Sequence, residues 1–423
     1  MLQLIKGFKD ILPDEAGLWR HIERLAADTF TAFGFAEMRP PVMERTELFK
    51  RSIGEDTDIV EKEMYTFEDR GGDMVTLRPE ATASVVRACI QHKLYADTAA
   101  AKFFTIGPMF RRERPQKGRY RQFHQINAEA FGVSAPYMDA QMIFMLMTLL
   151  SALCLKDTRV HLNSLGCARC RPAFKQRLLS FLQGQKADLC EDCNRRIDHN
   201  PLRVLDCKVD RCRQVSAEAP QVTDFLCADC AAHFGQVMRL LEELGVGFEI
   251  DKRLVRGLDY YTRTTFEVQT DRLGAQSAIA GGGRYDDLVR LLGGPDQPAV
   301  GFAIGMERLV ELVAMEGTVS PGKAPRLFIA ALGEASREKA FAWMCELNRK
   351  GLAVEMSLEE RGLKSQMKTA DKWNATHVLI VGDTELAART LILRDMRTKE
   401  QQEVALADVP GALTTLINNT QES

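Results

Sequence analysis

Long apolar runs are missing from this 423-residue chain. The nearest, QMIFMLMTLLSALCL from Gln141 to Leu155, is shorter than the roughly 18 uninterrupted apolar residues of a membrane span. It reads as a buried helix, and no membrane partner is expected. The N-terminal MLQLIKGFKDILPDE has an acid and a proline where an export signal needs its apolar centre, so the cytoplasm is the expected compartment. Net charge is also close to absent, at −2. That excludes indiscriminate polyanion binding, which needs a positive field over much of the surface, and leaves only local patches for nucleic acid. The triple glycine Gly281 to Gly283 is not followed by Gly-Lys-Ser/Thr, so it is no P-loop; its use is close backbone approach or positive φ.

Basic residues concentrate in one place. Between Arg111 and Arg121 there are six Arg or Lys (Arg111, Arg112, Arg114, Lys117, Arg119, Arg121) against the single acid Glu113. The surrounding stretch, Thr105 to Phe131, reads as two strands joined by this loop. In the second strand the period-two alternation places Phe123, Gln125, Asn127 and Glu129 on one side. An aromatic ring, two amides and a carboxylate make a poor core face and a good floor for a polar ligand with a stacking base. Taken alone, the segment reads equally well as a hairpin with one solvated face.

Elsewhere the chain alternates between helical and extended patterns. Pro13 to Phe33 is helical by its Leu18, Ile22, Leu25, Ala26, Phe30, Phe33 stripe. An extended FAEMRPPVMER with Pro40 and Pro41 follows, suited to an edge or an interface. A hairpin from Glu63 leads through MVTLRPE into the helix ATASVVRACIQ, which puts Glu80 and Thr82 at a helix start. Capping and dipole complementation alone explain those two residues. A helix from Asp139 to Leu155 and a strand from Val160 to Leu165 come next. In DKRLVRGLDYYTRTTFEV from Asp251, Tyr261, Arg263, Thr265 and Glu267 are expected on one strand face, with Arg256 and Asp259 in the preceding turn. AVGFAIGMERLVELV from Ala299 is a strand, a glycine and a helix whose first turn carries Arg308, a cation opposed by the helix dipole unless something anionic or aromatic lies near. PGKAP after Ser320 reads as a linker. The tail alternates strand and helix from RLFIAAL to a strand pair after Thr390 and a last helix, the pattern of a small sheet with helices on its faces.

Eight of the eleven cysteines fall between Cys167 and Cys230. They form three CxxC pairs (Cys167/Cys170, Cys190/Cys193, Cys227/Cys230) and the wider pair Cys207 and Cys212. Such spacings let thiolates share a tetrahedral Zn²⁺. Two Cys₄ sites, one site with spares, or inert buried thiols all remain open, and any zinc is expected to be structural.

Several separate stretches together resemble class II aminoacyl-tRNA synthetases: RPE with Thr82, FRRERPQKGRYRQFHQ from Phe110, RLVRGLDYYTRTTFE from Arg253, GGGRYDDL from Gly281 and GFAIGMERL from Gly301. The Arg253 and Gly281 stretches resemble histidyl-tRNA synthetases in particular. The resemblance implies an α+β fold: a catalytic domain with a mixed, mostly antiparallel sheet (1–166 and 245–320), an inserted Cys-rich helical module (167–244), and a C-terminal α/β anticodon-binding domain (325–423). It also implies the chemistry. L-histidine and ATP with Mg²⁺ give a histidyl-adenylate and pyrophosphate, and the histidyl group passes to tRNA(His). Arg111 and Arg256 are then the catalytic cations at the α-phosphate. Glu113 contacts the adenine side, Phe123 and Arg308 sandwich the ring, and Arg119 holds the γ-phosphate. Glu80, Thr82 and Gln125 hold the amino-acid backbone, Glu129 and Tyr261 grip the imidazole nitrogens, and Tyr260 joins the histidine-binding set. The Pro40 and Pro41 segment is similar to the family's dimer-interface motif, so a homodimer is implied. The alternative is a non-catalytic, histidine-sensing regulatory subunit on the same scaffold.

Overall fold

In the computed structural model, residues 2–54, 57–96, 100–116, 118–274, 277–317, 326–406, 409–411 and 413 are described. The chain divides into two compact units, Met1–Val319 and Ser320–Ser423.

The first unit is built on an eight-stranded sheet. Its strands are β1 (Ala36–Glu37), β2 (Ala101–Phe110), β3 (Gln122–Phe131), β4 (Arg159–Ser164), β5 (Phe248–Ile250), β6 (Thr262–Gln269), β7 (Ala278–Arg284) and β8 (Ala299–Gly305). They lie in the order β1-β2-β3-β8-β7-β6-β4-β5. Only β1 with β2 and β4 with β5 run parallel, so the sheet is mixed and mostly antiparallel as expected.

One face of this sheet is dry. Helix α1 (Pro13–Ala32) starts with Pro13 in its first turn and lays Trp19, Ile22, Ala26 and Phe30 against Ile126 and Ala128 of β3 and Phe302 of β8. Burying each such large side chain contributes about 1.5–3 kcal/mol. Helix α2 (Thr82–Gln91) follows the β-hairpin Tyr65–Glu68 and Met74–Leu77. Glu63, expected to open that hairpin, instead closes a π-helical turn, Ile59–Glu63. Helix α3 begins at Pro136, one turn before the expected Asp139, because proline's fixed φ suits a first helical position. Behind the sheet Arg284 and Asp139 are fully buried; Arg284 Nε donates to Asp139 Oδ2 at 3.0 Å, and His233 Nε2 lies 3.1 Å from Asp139 Oδ1.

The Cys-rich stretch is helical, with α4 (Arg171–Gly184), α5 (Glu191–His199), α6 (Asp210–Ala217) and α7 (Ala228–Glu243). Its own small core gathers Phe174, Leu178, Leu182, Ile197, Val204 and Val222 with Cys193 and Cys212. Helix α7 packs elsewhere: Phe234, Val237 and Leu241 join the core behind the main sheet.

One strand departs from expectation. Arg263 sits at φ 47, and the pairing of β6 with β7 jumps from Thr262↔Arg284 to Thr265↔Gly283. This irregularity interrupts the simple alternation at Arg263, which does not line the cavity described below as Tyr261 and Glu267 do; Thr265 keeps the parity of Glu267 but is buried away from the cavity lining.

The second unit carries a five-stranded sheet in the spatial order 353–356, 326–332, 377–382, 390–395, 401–405, parallel among the first three strands. A short helix, Asp383–Ala388, stands where the sequence pattern placed none. The expected PGKAP linker and most of the last helix lie outside the described residues.

Candidate functional site

The cavity floor exists because the two central strands have almost no side chains on that face. Opposite Glu129, Asn127 and Gln125 of β3 stand Gly301, Ala303 and Gly305 of β8, and Ala303 is in turn paired with Gly281 of β7. The result is a cavity of about 910 Å³. A Cβ at Gly301 would fall on the Glu129 carboxylate and the Ala128 carbonyl, so that position requires glycine for close approach; one at Gly281 would fall on the Arg256 guanidinium and displace it.

All twelve residues singled out for histidine and ATP border this one cavity: Glu80, Thr82, Arg111, Glu113, Arg119, Phe123, Gln125, Glu129, Arg256, Tyr260, Tyr261 and Arg308. They come from the α2 start, β3, the basic loop, the Arg253–Tyr261 segment and the helix α8 (Met306–Glu316).

Arg111, Arg119, Arg256 and Arg308 share the cavity wall with the flat ring of Phe123. The Arg111 guanidinium lies 5.3 Å from the Phe123 ring centroid, and its Nε donates to the Pro79 carbonyl at 2.9 Å. Glu113 stands between Arg111 (3.7 Å) and Arg119 (3.3 Å). Arg308 Nη1 donates to the Ala278 carbonyl at 2.6 Å. Two acids hold the framework: Glu307 accepts from the His124 backbone N–H (2.9 Å), and Glu267 pairs with Arg256 Nη1 (2.6 Å). Arg256 also lies over the Tyr261 ring at 6.0 Å.

Two carboxylates of the same cavity, Glu80 and Glu129, are buried. Glu129 is 1% exposed; its Oε1 accepts from Thr82 Oγ1 at 2.7 Å and its Oε2 accepts from the Tyr285 hydroxyl. Burial pushes the Glu129 carboxyl up to about 8, although the Tyr285 and Thr82 hydrogen bonds pull it down; the neighbouring Glu80 adds to the rise. Glu80 is also raised by burial, and both its oxygens accept from the α2 terminus, Thr82 N at 2.6 Å and Ala83 N at 2.9 Å. Glu80, one residue ahead of the N-cap Ala81, thus satisfies the first amides of α2, whereas the Thr82 hydroxyl, expected as a cap, goes to Glu129 instead. Tyr260 and Tyr261 stack at 4.7 Å and are raised by burial. Gln125 Oε1 and Asn127 Oδ1 are buried on the cavity floor without a hydrogen-bond partner in the protein. Orphaned acceptors in a cavity are what a donor-rich ligand satisfies.

Known proteins resemble this chain along most of its length. The histidyl-tRNA synthetase family model matches residues 7–309, and an anticodon-binding-domain model matches residues 326–416. The chain belongs to the histidyl-tRNA synthetase family. It is 83% identical to a histidine-tRNA ligase of Desulfosudis oleivorans over the whole of both chains, and 55% identical to one of Desulfatibacillum aliphaticivorans, covering 99% of this chain and 100% of that one. An apo S. aureus histidyl-tRNA synthetase structure superposes with a TM-score of 0.83 at 33% identity, covering 97% of this chain and 99% of that one.

Two members of the site escaped assignment to a role from sequence. Tyr285 lay in plain view in GGGRYDDL, but nothing in its spacing says that its hydroxyl reaches Glu129 from 156 residues away. Glu267 was placed on the right strand without its partner Arg256.

The cysteines resolve into two tetrads, Cys167, Cys170, Cys227, Cys230 and Cys190, Cys193, Cys207, Cys212, the sulfurs of each within 4.8 Å of one another. Measured separations are 3.6 Å (Cys167 to Cys170) and 3.9 Å (Cys167 to Cys227 and Cys190 to Cys207). Four sulfurs about 2.3 Å from a tetrahedral Zn²⁺ stand close to 3.8 Å apart, so the donors fit that ion; a disulfide needs about 2 Å. Backbone N–H groups point at the sulfurs: Cys190 N donates to Cys212 Sγ and Cys227 N to Cys170 Sγ, both at 3.1 Å.

Among the described residues no helix is long and apolar enough to cross a membrane.

Proposed function

We propose that this chain joins L-histidine to tRNA(His) through a histidyl-adenylate, releasing pyrophosphate and AMP. The observation that carries this is the convergence of Arg111, Arg119, Arg256, Arg308 and the Phe123 ring on the same cavity that Glu129, Thr82 and Tyr285 border. Guanidinium groups stay charged and bind phosphate oxygens in a fork, which suits a triphosphate. Adenine lies between Phe123 and Arg308, with Glu113 at its edge, and Arg119 holds the γ-phosphate. As the histidine carboxylate attacks the α-phosphorus, negative charge crowds there, and Arg111 and Arg256 lower the barrier by being aimed at it beforehand. Glu113 and Glu267, hard oxygen donors on the cavity wall, are the groups that would hold a Mg²⁺ bound with ATP, and such an ion would screen the phosphate charge.

Histidine selection uses the buried groups. Glu129 and Tyr261 take the two imidazole nitrogens, with Tyr260 beside them, and Glu80, Thr82 and Gln125 hold the amino-acid backbone. An analogue that leaves these groups unmet loses about 1–3 kcal/mol for each orphaned partner.

The two tetrads are read as structural Zn²⁺ sites, the second unit as the anticodon reader, and the protein as a cytoplasmic homodimer. Exposed Val42, Met43, Phe67 and Met74 near the Pro40 segment supply apolar surface for a partner copy; sedimentation as a monomer at micromolar concentration would contradict the dimer. Histidine-dependent exchange of labelled pyrophosphate into ATP, run across an amino-acid panel, tests the whole reading. Exchange driven equally by threonine or proline would refute it.

A further inference from the structure

The inner tetrad, Cys190, Cys193, Cys207 and Cys212, lies beside the cavity, and Cys207 itself borders it together with Leu205, Asp206 and Lys208. Between Cys193 and Cys207 the chain runs out to the catalytic sheet's loops and back. Three side chains of that excursion make the contacts. Arg196 Nη2 donates to Asp58 Oδ2 at 2.8 Å, Asn200 Nδ2 to Asp259 Oδ1 at 2.9 Å, and Arg203 Nη1 to the backbone carbonyl of Arg256 at 3.2 Å. The excursion is thus anchored on one side by the thiols and touches, on the other, the backbone of the residue assigned to the α-phosphate.

We propose that the inner tetrad binds one Zn²⁺ whose purpose is to close residues 193–207 into a fixed loop and so position Arg256. This rests on the synthetase reading above. The outer tetrad, which joins the two ends of the Cys-rich stretch at Cys167/Cys170 and Cys227/Cys230, binds a second Zn²⁺ that closes the module's neck. A core as small as that of Phe174, Leu178, Ile197 and Val204 needs such a staple to hold one conformation. Four cysteine ligands leave no open position, so neither ion takes part in the chemistry. Arg203 is a positioning residue: it holds the Arg256 main chain from behind while Glu267 orients the guanidinium in front.

The test uses the full chain. Elemental analysis of protein purified without chelator is expected to give two zinc equivalents per chain, and Co²⁺ replacement should give the thiolate-to-metal absorption of tetrahedral sulfur sites. The double variant Cys207→Ser with Cys212→Ser should retain one equivalent. Its single-turnover adenylate formation at saturating ATP and histidine should fall by about 10- to 100-fold, with the histidine KM moved less than about threefold, as expected for a displaced catalytic cation. Arg203→Ala leaves every thiol in place; it should keep both equivalents and show the same loss of rate, which separates positioning from unfolding of the module. Parental rates in Arg203→Ala, an unchanged rate in a double variant that has lost one equivalent, or parent protein holding fewer than two equivalents would each overturn the proposal. If the parent shows no histidine-dependent exchange, the synthetase reading falls, while metal content and the cobalt spectrum still decide the tetrads.

Discussion

Replacing Glu129 by glutamine keeps the shape of the side chain and removes its charge, and two consequences can be worked from its surroundings. Glu129 is buried with its carboxyl raised from 4.5 to about 8. Each pKa unit corresponds to about 1.4 kcal/mol, so the raised value represents roughly 3 to 5 kcal/mol between the two protonation states. The folded value lies above the unfolded one. The neutral carboxyl's advantage is therefore fully present below about pH 4.5 and is lost as pH rises through 8. Ligand-free protein should lose stability across that window, and Glu129→Gln, which does not titrate, should lose less. Thermal melts of both proteins from pH 5 to pH 9 should nearly coincide at the acid end and separate toward the alkaline end, with the variant melting higher. The second consequence is opposite in sign for function. An imidazole N–H that donates to Glu129 favours the ionised carboxylate over the neutral form of the ligand-free protein, and a hydrogen bond to an ionised group is worth about 1.5–3 kcal/mol, so histidine affinity should fall by about 10- to 100-fold while ATP affinity stays within about threefold. Parallel melting curves would show that Glu129 is not the titrating group, and undiminished histidine binding would move the imidazole site elsewhere.

Three further substitutions probe other parts of the structure. Arg256→Ala should slow adenylate formation by about 10²- to 10³-fold, because it removes a preorganised cation from the reacting phosphorus; a near-normal single-turnover rate would take Arg256 out of the mechanism. Gly301→Ala puts a methyl group where the Glu129 carboxylate lies, so it should abolish measurable histidine binding in calorimetry while the protein still folds; retained affinity would show that Glu129 has room to move. Asp139→Ala leaves Arg284 buried without its main counter-charge and should cost about 3–5 kcal/mol in urea unfolding of the first unit; a cost under about 1 kcal/mol would mean that Asp286 alone satisfies it.

Local pattern carried the site a long way. The alternation on one strand was enough to group Phe123, Gln125, Asn127 and Glu129, because side-chain direction in a strand depends only on the backbone's period of two. The same rule fails within β6, where Arg263 takes a positive φ and the register slips between Thr262 and Thr265, so Thr265 and Glu267 keep one face but Arg263 does not join them; a non-glycine residue in that region gives no warning in sequence. The start of α3 (Pro136–Ala152) at a proline is a signal the sequence does carry. Nothing local marks α7 as part of the main core, since its apolar stripe suits either neighbour.

The sequence by itself determined the basic loop, the floor residues of β3 and the presence of thiols at metal-binding spacing, which follow from short-range periodicity and composition, and the fold class, which follows from the resemblance of its motifs to class II synthetases. Only the tertiary structure decided which cysteines stand together, that Tyr285 and Thr82 share Glu129, that Arg203 backs Arg256, and that glycines on β7 and β8 leave the space those groups occupy. These are contacts between residues tens to hundreds of positions apart, and their distances are set by how strands and helices pack, which no local pattern records.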